Sequence, residues 1–276
     1  MSVALDEKRT AFRRLHDAGC FVIPNPWDVG SAIALQSLGF KAIASTSAGL
    51  AWSLGRPDNK VGLERVLAHL TCLAAAADIP LNADFENAFA DKPEAVAINV
   101  ARAVDTGIAG LSVEDSTGDA SAPLYEFALA VERIAAARSA IDAAGGGVLL
   151  TARSEGFIAG RPDMDETLRR LNAYGAAGAD CLYAPGLRNE SQIEQVVAAA
   201  SPKPVNVLTP ELSVSKLAGL GVRRISVGGS LARAAWGEFL RAAREIADDG
   251  DFTAFARAAP GGELNRMFSL KPEGRN

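Results

Sequence analysis

The sequence predicts an α/β fold, a (β/α)8 TIM barrel, on three observations. Short apolar runs alternate eight times with longer stretches of helical period. Most of these runs are apolar on both faces, as buried parallel strands must be. Glycines recur just after the helical stretches and ahead of the next run, where a left-handed residue ends a helix. A length of 276 residues, 49% hydrophobic, suits such a barrel as a single unit spanning 1–276.

The predicted strands are 20–24, 41–46, 81–86, 110–115, 148–153, 181–185, 204–208 and 224–228. Helices are expected at 28–38, 62–77, 93–105, 123–143, 163–177, 191–200, 213–220 and 230–247. Pro93 and Pro123 suit first-turn positions, where a missing N–H costs nothing, and Gly39, Gly107, Gly178 and Gly221 suit helix ends. An extra amphipathic helix precedes Cys20. The stretch 251–276 reads as a helical tail, with two short helices over 251–270, suited to capping the barrel or packing on another subunit.

Composition narrows the function. Aromatic residues are only 6%, so Ala, Val, Leu and Ile must build the core. The net charge of −5, without a basic block, excludes nucleic acid as a partner. Charges at Asp6, Glu7, Lys8, Arg9, Arg13 and Arg14 interrupt any secretory signal, and no apolar stretch is long enough for a membrane span. Cys20, Cys72 and Cys181 are expected as buried, reduced thiols of a cytoplasmic protein, and His16 and His69 as surface or helix-packing residues, so no zinc site is expected.

In a barrel the chemistry sits at the carboxyl ends of the strands. Those ends carry Asn25, then Ser45, Thr46 and Ser47, then Asn82, Asp84 and Glu86, then Glu114 and Asp115, Arg153 with Glu155 beyond it, and Asn206. Hard cations prefer carboxylate oxygens and retain water, so Asp84 and Glu114 from adjacent strands suit Mg2+, with Asn82 adding an amide oxygen. The Arg153 guanidinium suits a carboxylate or phosphoryl group, and the Ser45-Thr46-Ser47 turn and Asn206 offer it further polar contacts. The same Asp84 and Glu114 also suit a plain buried ionic cluster with Arg153. The turn at Gly228, Gly229 and Ser230 reads equally as a phosphate grip or as tight packing.

From about residue 21 to about 240 the chain resembles the isocitrate lyase and phosphoenolpyruvate mutase superfamily, in its carboxyphosphonoenolpyruvate phosphonomutase-like branch. The blocks that carry this are NPWDVGSA at 25–32, STSAGLAWSLGRPD at 45–58, LNADFENAF at 81–89, GLSVED at 110–115, TARSEGF at 151–157 and VNVL at 205–208. The resemblance implies that Asp84 and Glu114 serve a Mg2+ site, that Arg153 and the Ser45 turn bind the substrate's acid groups, and that Asp58 is an active-site loop acid. It implies an enolate-type intermediate, a barrel whose eighth helix is swapped between subunits, and a homodimer or homotetramer.

Two departures bear on activity. The lyases of the superfamily carry a cysteine acid/base in a loop after the strand-four acid, whereas 115–123 here reads DSTGDASAP; the mutases have a longer loop with an asparagine. Asn82 stands where well-studied branches have a metal-contacting aspartate. The expected function is a Mg2+-dependent lyase breaking a C–C or P–C bond in a small anionic 2-oxo acid, oxaloacetate-like or phosphonopyruvate-like. Phosphonomutase activity and a catalytically inactive 2-oxo-acid-binding protein stay open as alternatives.

Overall fold

In the computed structural model, which describes residues 4–269, eight parallel strands form a nearly closed barrel with helices around it. In chain order the elements are α1 (Leu5–Leu15), β1 (Phe21–Ile23), α2 (Val29–Ser37), β2 (Ile43–Ala44), α3 (Ser47–Ser53), α4 (Leu63–Ala76), β3 (Leu81–Asp84), α5 (Pro93–Val104), β4 (Gly110–Glu114), α6 (Phe127–Ala143) and β5 (Leu149–Arg153). Then come α7 (Met164–Ala176), β6 (Cys181–Tyr183), α8 (Glu190–Ala200), β7 (Val205–Val207), α9 (Val214–Gly219), β8 (Arg224–Ser226), α10 (Ser230–Asp249), a 3-10 turn (Thr253–Arg257) and α11 (Gly261–Ser269). Ladders join neighbours in the order β1-β8-β7-β6-β5-β4-β3-β2, and the Ala44 N–H donates to the Pro24 carbonyl at 3.0 Å to bring the two ends together.

The end signals work as expected at most helices. Pro93 opens α5, and Gly39, Gly107, Gly178 and Gly221 all take positive φ. Pro123 does not open a helix: Ser116 and Leu124 form an antiparallel bridge, which holds this segment extended and delays α6 to Phe127. The short α3 was not expected; Thr46 caps it, its hydroxyl accepting the Gly49 N–H at 3.2 Å. Cys72 is exposed on α4, against the expectation of three buried thiols, because the apolar face of that helix runs through Val66, Leu70 and Leu73 instead. Residues 270–276 of the expected tail lie outside the described residues.

Two apolar clusters hold the molecule together. The larger lies between the outer faces of the strands and the helices, around residues such as Leu70, Leu111, Leu150 and Ile193. The smaller plugs the amino ends of the strands: Phe12 of α1 packs with Ile23, Ala42, Ala44, Leu149 and Cys181. Full burial of a phenylalanine stabilises by about 2–3 kcal/mol. The plug fits because its neighbours are small. At Gly110 a Cβ would lie 2.5 Å from Phe12 Cε1 and 2.7 Å from Asn82 Oδ1.

His16, one turn beyond Phe12, is edge-on to both Phe12 and Phe21 and faces Arg224 at 3.5 Å. Burial, then the Arg224 charge, push its pKa down to about 3. The folded protein therefore keeps His16 neutral while an unfolded chain protonates it near 6.5.

Two measurements test this floor. Gly110→Ala should cost about 1–3 kcal/mol by overpacking, read as a lower urea midpoint, and an unchanged midpoint would contradict the close approach of Phe12. Because the unfolded state binds the His16 proton first, stability should fall as pH drops below 6.5, by up to about 1.4 kcal/mol per pH unit down to the folded pKa. His16→Gln should remove that slope; equal slopes in both proteins would show that His16 is not held neutral.

Candidate active site

The cavity at the carboxyl ends of the strands, about 90 Å³, is lined by Asp84, Arg153, Tyr183, Asn206 and Arg224 among others. Arg153 dominates its mouth. Its Nη1 meets Asp84 Oδ1 at 2.7 Å, its Nη2 meets Glu114 Oε2 at 3.1 Å, and its Nε meets Glu155 Oε1 at 2.8 Å. The register explains the meeting, since Glu114 and Arg153 are directly paired on β4 and β5 while Asp84 pairs with Ser112 one inward position below Glu114.

One guanidinium thus touches three carboxylates. Burial and the neighbouring acids push Glu114 well above its usual range despite Arg153, and burial likewise raises Glu155. Burial works against the Arg153 charge as well, but Glu155, Glu114 and Asp84 outweigh it and keep the group protonated. If all three acids ionise, two negative charges remain uncompensated, which equals the charge of one divalent cation.

Glu86 adds a fourth acid. Burial, reinforced by Asp84 and Asp58, pushes it up to about 8. The backbone around it is strained: Glu86, Ala88 and Phe89 take φ of 46°, 58° and 55°. Left-handed backbone at non-glycine residues costs about 1–3 kcal/mol each and gathers where a site is held in place. Asp58 lies on an exposed loop, yet its carboxyl turns inward to the Ser47 hydroxyl and the Asp84 charge; partial burial of that carboxyl raises its pKa.

The serine-threonine turn divides its work. Ser45 Oγ accepts the Asp84 N–H at 2.8 Å, and the Ser47 N–H donates to Asp84 Oδ2 at 3.0 Å, so both orient that carboxylate. Thr46 is consumed as the α3 cap. Asn25 stitches three strand ends, its Oδ1 accepting the N–H groups of Val227 and Gly228 and its Nδ2 donating to the Ser45 carbonyl. Asp115 stands behind the site, held by Tyr174, Arg170 and the Glu155 N–H.

Asn82 lies deeper than Asp84. Its Nδ2 donates to the Ala83 carbonyl at 3.1 Å, and its buried Oδ1 lacks a hydrogen-bond partner among the described residues. No three His, Cys, Asp or Glu side chains among the described residues converge at metal-ligand spacing, since Asp84 and Glu114 are drawn onto Arg153. The donor set nevertheless suits a hard dication: oxygen atoms only, excess negative charge, and an amide oxygen left over.

Below this ring the cavity floor is polar. Arg224, 3% exposed, donates from Nε to Asn206 Oδ1 at 2.8 Å and from Nη2 to Thr151 Oγ1 at 3.0 Å. Among the described residues no carboxylate comes within ion-pair reach of it. Asn206, expected to bind substrate, lines the cavity and is tied into this floor at both ends of its amide, its Nδ2 donating to Ser226 Oγ at 2.9 Å. Sequence reasoning assigned no role to Tyr183 or Arg224. The signal was present in the period-two alternation of β8, which puts Arg224 and Ser226 on the same inward face as the site.

The comparisons with known proteins agree with this geometry. The sequence matches the family model described as phosphoenolpyruvate phosphomutase over residues 12–247. A solved structure from Burkholderia cenocepacia J2315, provisionally classed as a lyase/mutase, is 48% identical with a TM-score of 0.94, over 96% of this chain and 97% of that one. An uncharacterized protein of Mycobacterium tuberculosis is 32% identical over 248 residues, 86% of this chain and 89% of its own length. An oxaloacetate decarboxylase of Ectopseudomonas mendocina is 32% identical over 239 residues, 80% of this chain and 78% of the decarboxylase. With a barrel, a strand-end acid cluster and a family match over most of its length, the chain belongs to the phosphoenolpyruvate phosphomutase family and is an enzyme of the wider superfamily of lyases and mutases.

Proposed function

We propose that the protein is a Mg2+-dependent lyase that breaks the C–C or P–C bond to C3 of a small 2-oxo acid, of the oxaloacetate or phosphonopyruvate class, through an enolate-type intermediate. The observation that carries this reading is Arg153 among Asp84, Glu114 and Glu155, a ring whose surplus charge calls for a cation and whose guanidinium suits an anion. The 32% identity to an oxaloacetate decarboxylase supports the same substrate class.

Asp84 and Glu114 would hold the ion, directly or through its waters, with Asn82 Oδ1 as a further oxygen. When bound, Mg2+ would supply positive charge beside the coplanar oxygens of the substrate. The chain's own groups do the rest. With Asp84 and Glu114 engaged in holding the ion, Arg153 would have two N–H groups for the substrate carboxylate. Ser45 and Ser47 keep the Asp84 carboxylate in place. Asp58, on its loop beside Ser47 and Asp84, would handle a proton there, since the 115–123 loop carries no cysteine for that task.

Mutase activity is the second reading, favoured by the family model itself. Against it, Thr117, Asp119 and Ser121 of the 115–123 loop are bonded to one another and to their own backbone. The exposed apolar side chains Trp236, Phe239 and Leu240 of α10 support the exchange of that helix between subunits of a dimer or tetramer.

Turnover of oxaloacetate or phosphonopyruvate should vanish on chelation and return with Mg2+. Asp84→Ala should lower kcat/KM by about 10²–10³-fold with an unchanged circular dichroism spectrum. Tight binding of 2-oxo acids without turnover of any would instead establish a binding protein, and a product carrying a new C–P bond would establish a mutase.

A further inference from the structure

The floor of the cavity is an ordered chain of donors, and its direction is set by the residue at its base. A guanidinium has N–H donors and no acceptor, so Arg224 Nε can only donate, and Asn206 must present its carbonyl oxygen. The flipped amide would set N–H against N–H. With Oδ1 committed, Asn206 Nδ2 donates to Ser226 Oγ at 2.9 Å. The Ser226 hydroxyl, holding the Asn206 N–H on one lone pair, keeps its own proton and neighbours the Tyr183 oxygen. Tyr183 lines the cavity beside Arg153 and has an O–H to offer to that space.

Across the cavity stand carboxylates, which accept when ionised, and Arg153, each of whose nitrogens is turned to an acid in the free protein. We propose that Tyr183 is the hydrogen-bond donor that meets an oxyanion of the bound 2-oxo acid from the cavity floor, with Arg224, Asn206 and Ser226 as the positioning residues that aim it. This assignment rests on the lyase reading above and adds to it a residue that neither the sequence nor the family resemblance pointed to. Burial pushes the Tyr183 hydroxyl up to about 12, against the pull of Arg153, so near neutral pH the group keeps its proton and acts as a donor. Arg224, with no carboxylate within ion-pair reach among the described residues, also lends positive potential to the floor, opposite the acidic mouth. Were the chain only a way to satisfy a buried arginine, Tyr183 would matter to stability and not to the ligand.

The test is calorimetric titration of oxalate, a planar mimic of the pyruvate enolate, in the presence of Mg2+, together with thermal melting of each protein. Tyr183→Phe should weaken oxalate binding roughly tenfold. Ser226→Ala should weaken it by a smaller factor, and the double variant should bind no worse than Tyr183→Phe, since an absent hydroxyl cannot be misaimed. Arg153→Lys is the control for the site itself. If Arg153→Lys loses oxalate while Tyr183→Phe binds it as tightly as the wild type, the tyrosine assignment fails and the lyase reading stands. If the wild type ignores oxalate, both fail. Additive losses in the double variant would overturn the positioning chain, and a lower melting temperature with unchanged affinity would leave Tyr183 a structural residue.

Discussion

Arg153 meets Asp84, Glu114 and Glu155 within about a side chain's width of one another at the carboxyl end of the barrel, and the rest of the site is arranged around that encounter. Removing two or three like charges from water is costly, and a single guanidinium cannot neutralise them all. The unresolved balance is visible in Glu114, Glu155 and Glu86, all pushed upward by burial. Such a cluster is poor evidence for stability and better evidence for a site that is completed by something else. The backbone strain at Glu86, Ala88 and Phe89 belongs to the same bargain, because a barrel with large apolar interfaces elsewhere tolerates a few unfavourable residues at its mouth.

The fold makes that tolerance possible by separating tasks along the barrel axis. The amino ends of the strands are dry, closed by Phe12 among small residues, and the middle is filled by Thr151, Asn206 and Arg224 in a satisfied polar network. His16 marks the boundary, neutral between two phenylalanine rings and a guanidinium. Barrel interiors are usually packed with branched apolar side chains. Here the polar middle carries the cavity down toward Arg224, which is why a residue far from the strand ends lines the same space as Asp84.

Much of this was legible in the sequence. All eight predicted strands lie within a residue or two of those found, because apolar runs between glycine-ended helices leave little freedom of placement. The convergence of Asp84, Glu114 and Arg153 was legible because strand ends in a barrel share one rim. What escaped was whatever depends on register and on side-chain reach. Thr46 reads as a site hydroxyl, but its cap of the short α3 depends on a helix the sequence does not announce, and the bonds of Asn206 to Arg224 and Ser226 are equally invisible to pattern. Tyr183 sits in a run read as uniformly apolar, and the left-handed turn at Glu86 has no glycine to announce it. Pro123 shows the opposite failure, a sound local signal overruled by a bridge from Ser116 to Leu124.

The exchange of partners at Arg153 is the heart of the account, and a crystal grown with Mg2+ and oxalate tests it most directly. The ion should sit against Asp84 and Glu114, directly or through its waters, with Arg153 turned from at least one of them onto oxalate. A guanidinium still bridging Asp84, Glu114 and Glu155, with oxalate bound elsewhere or not at all, would contradict it.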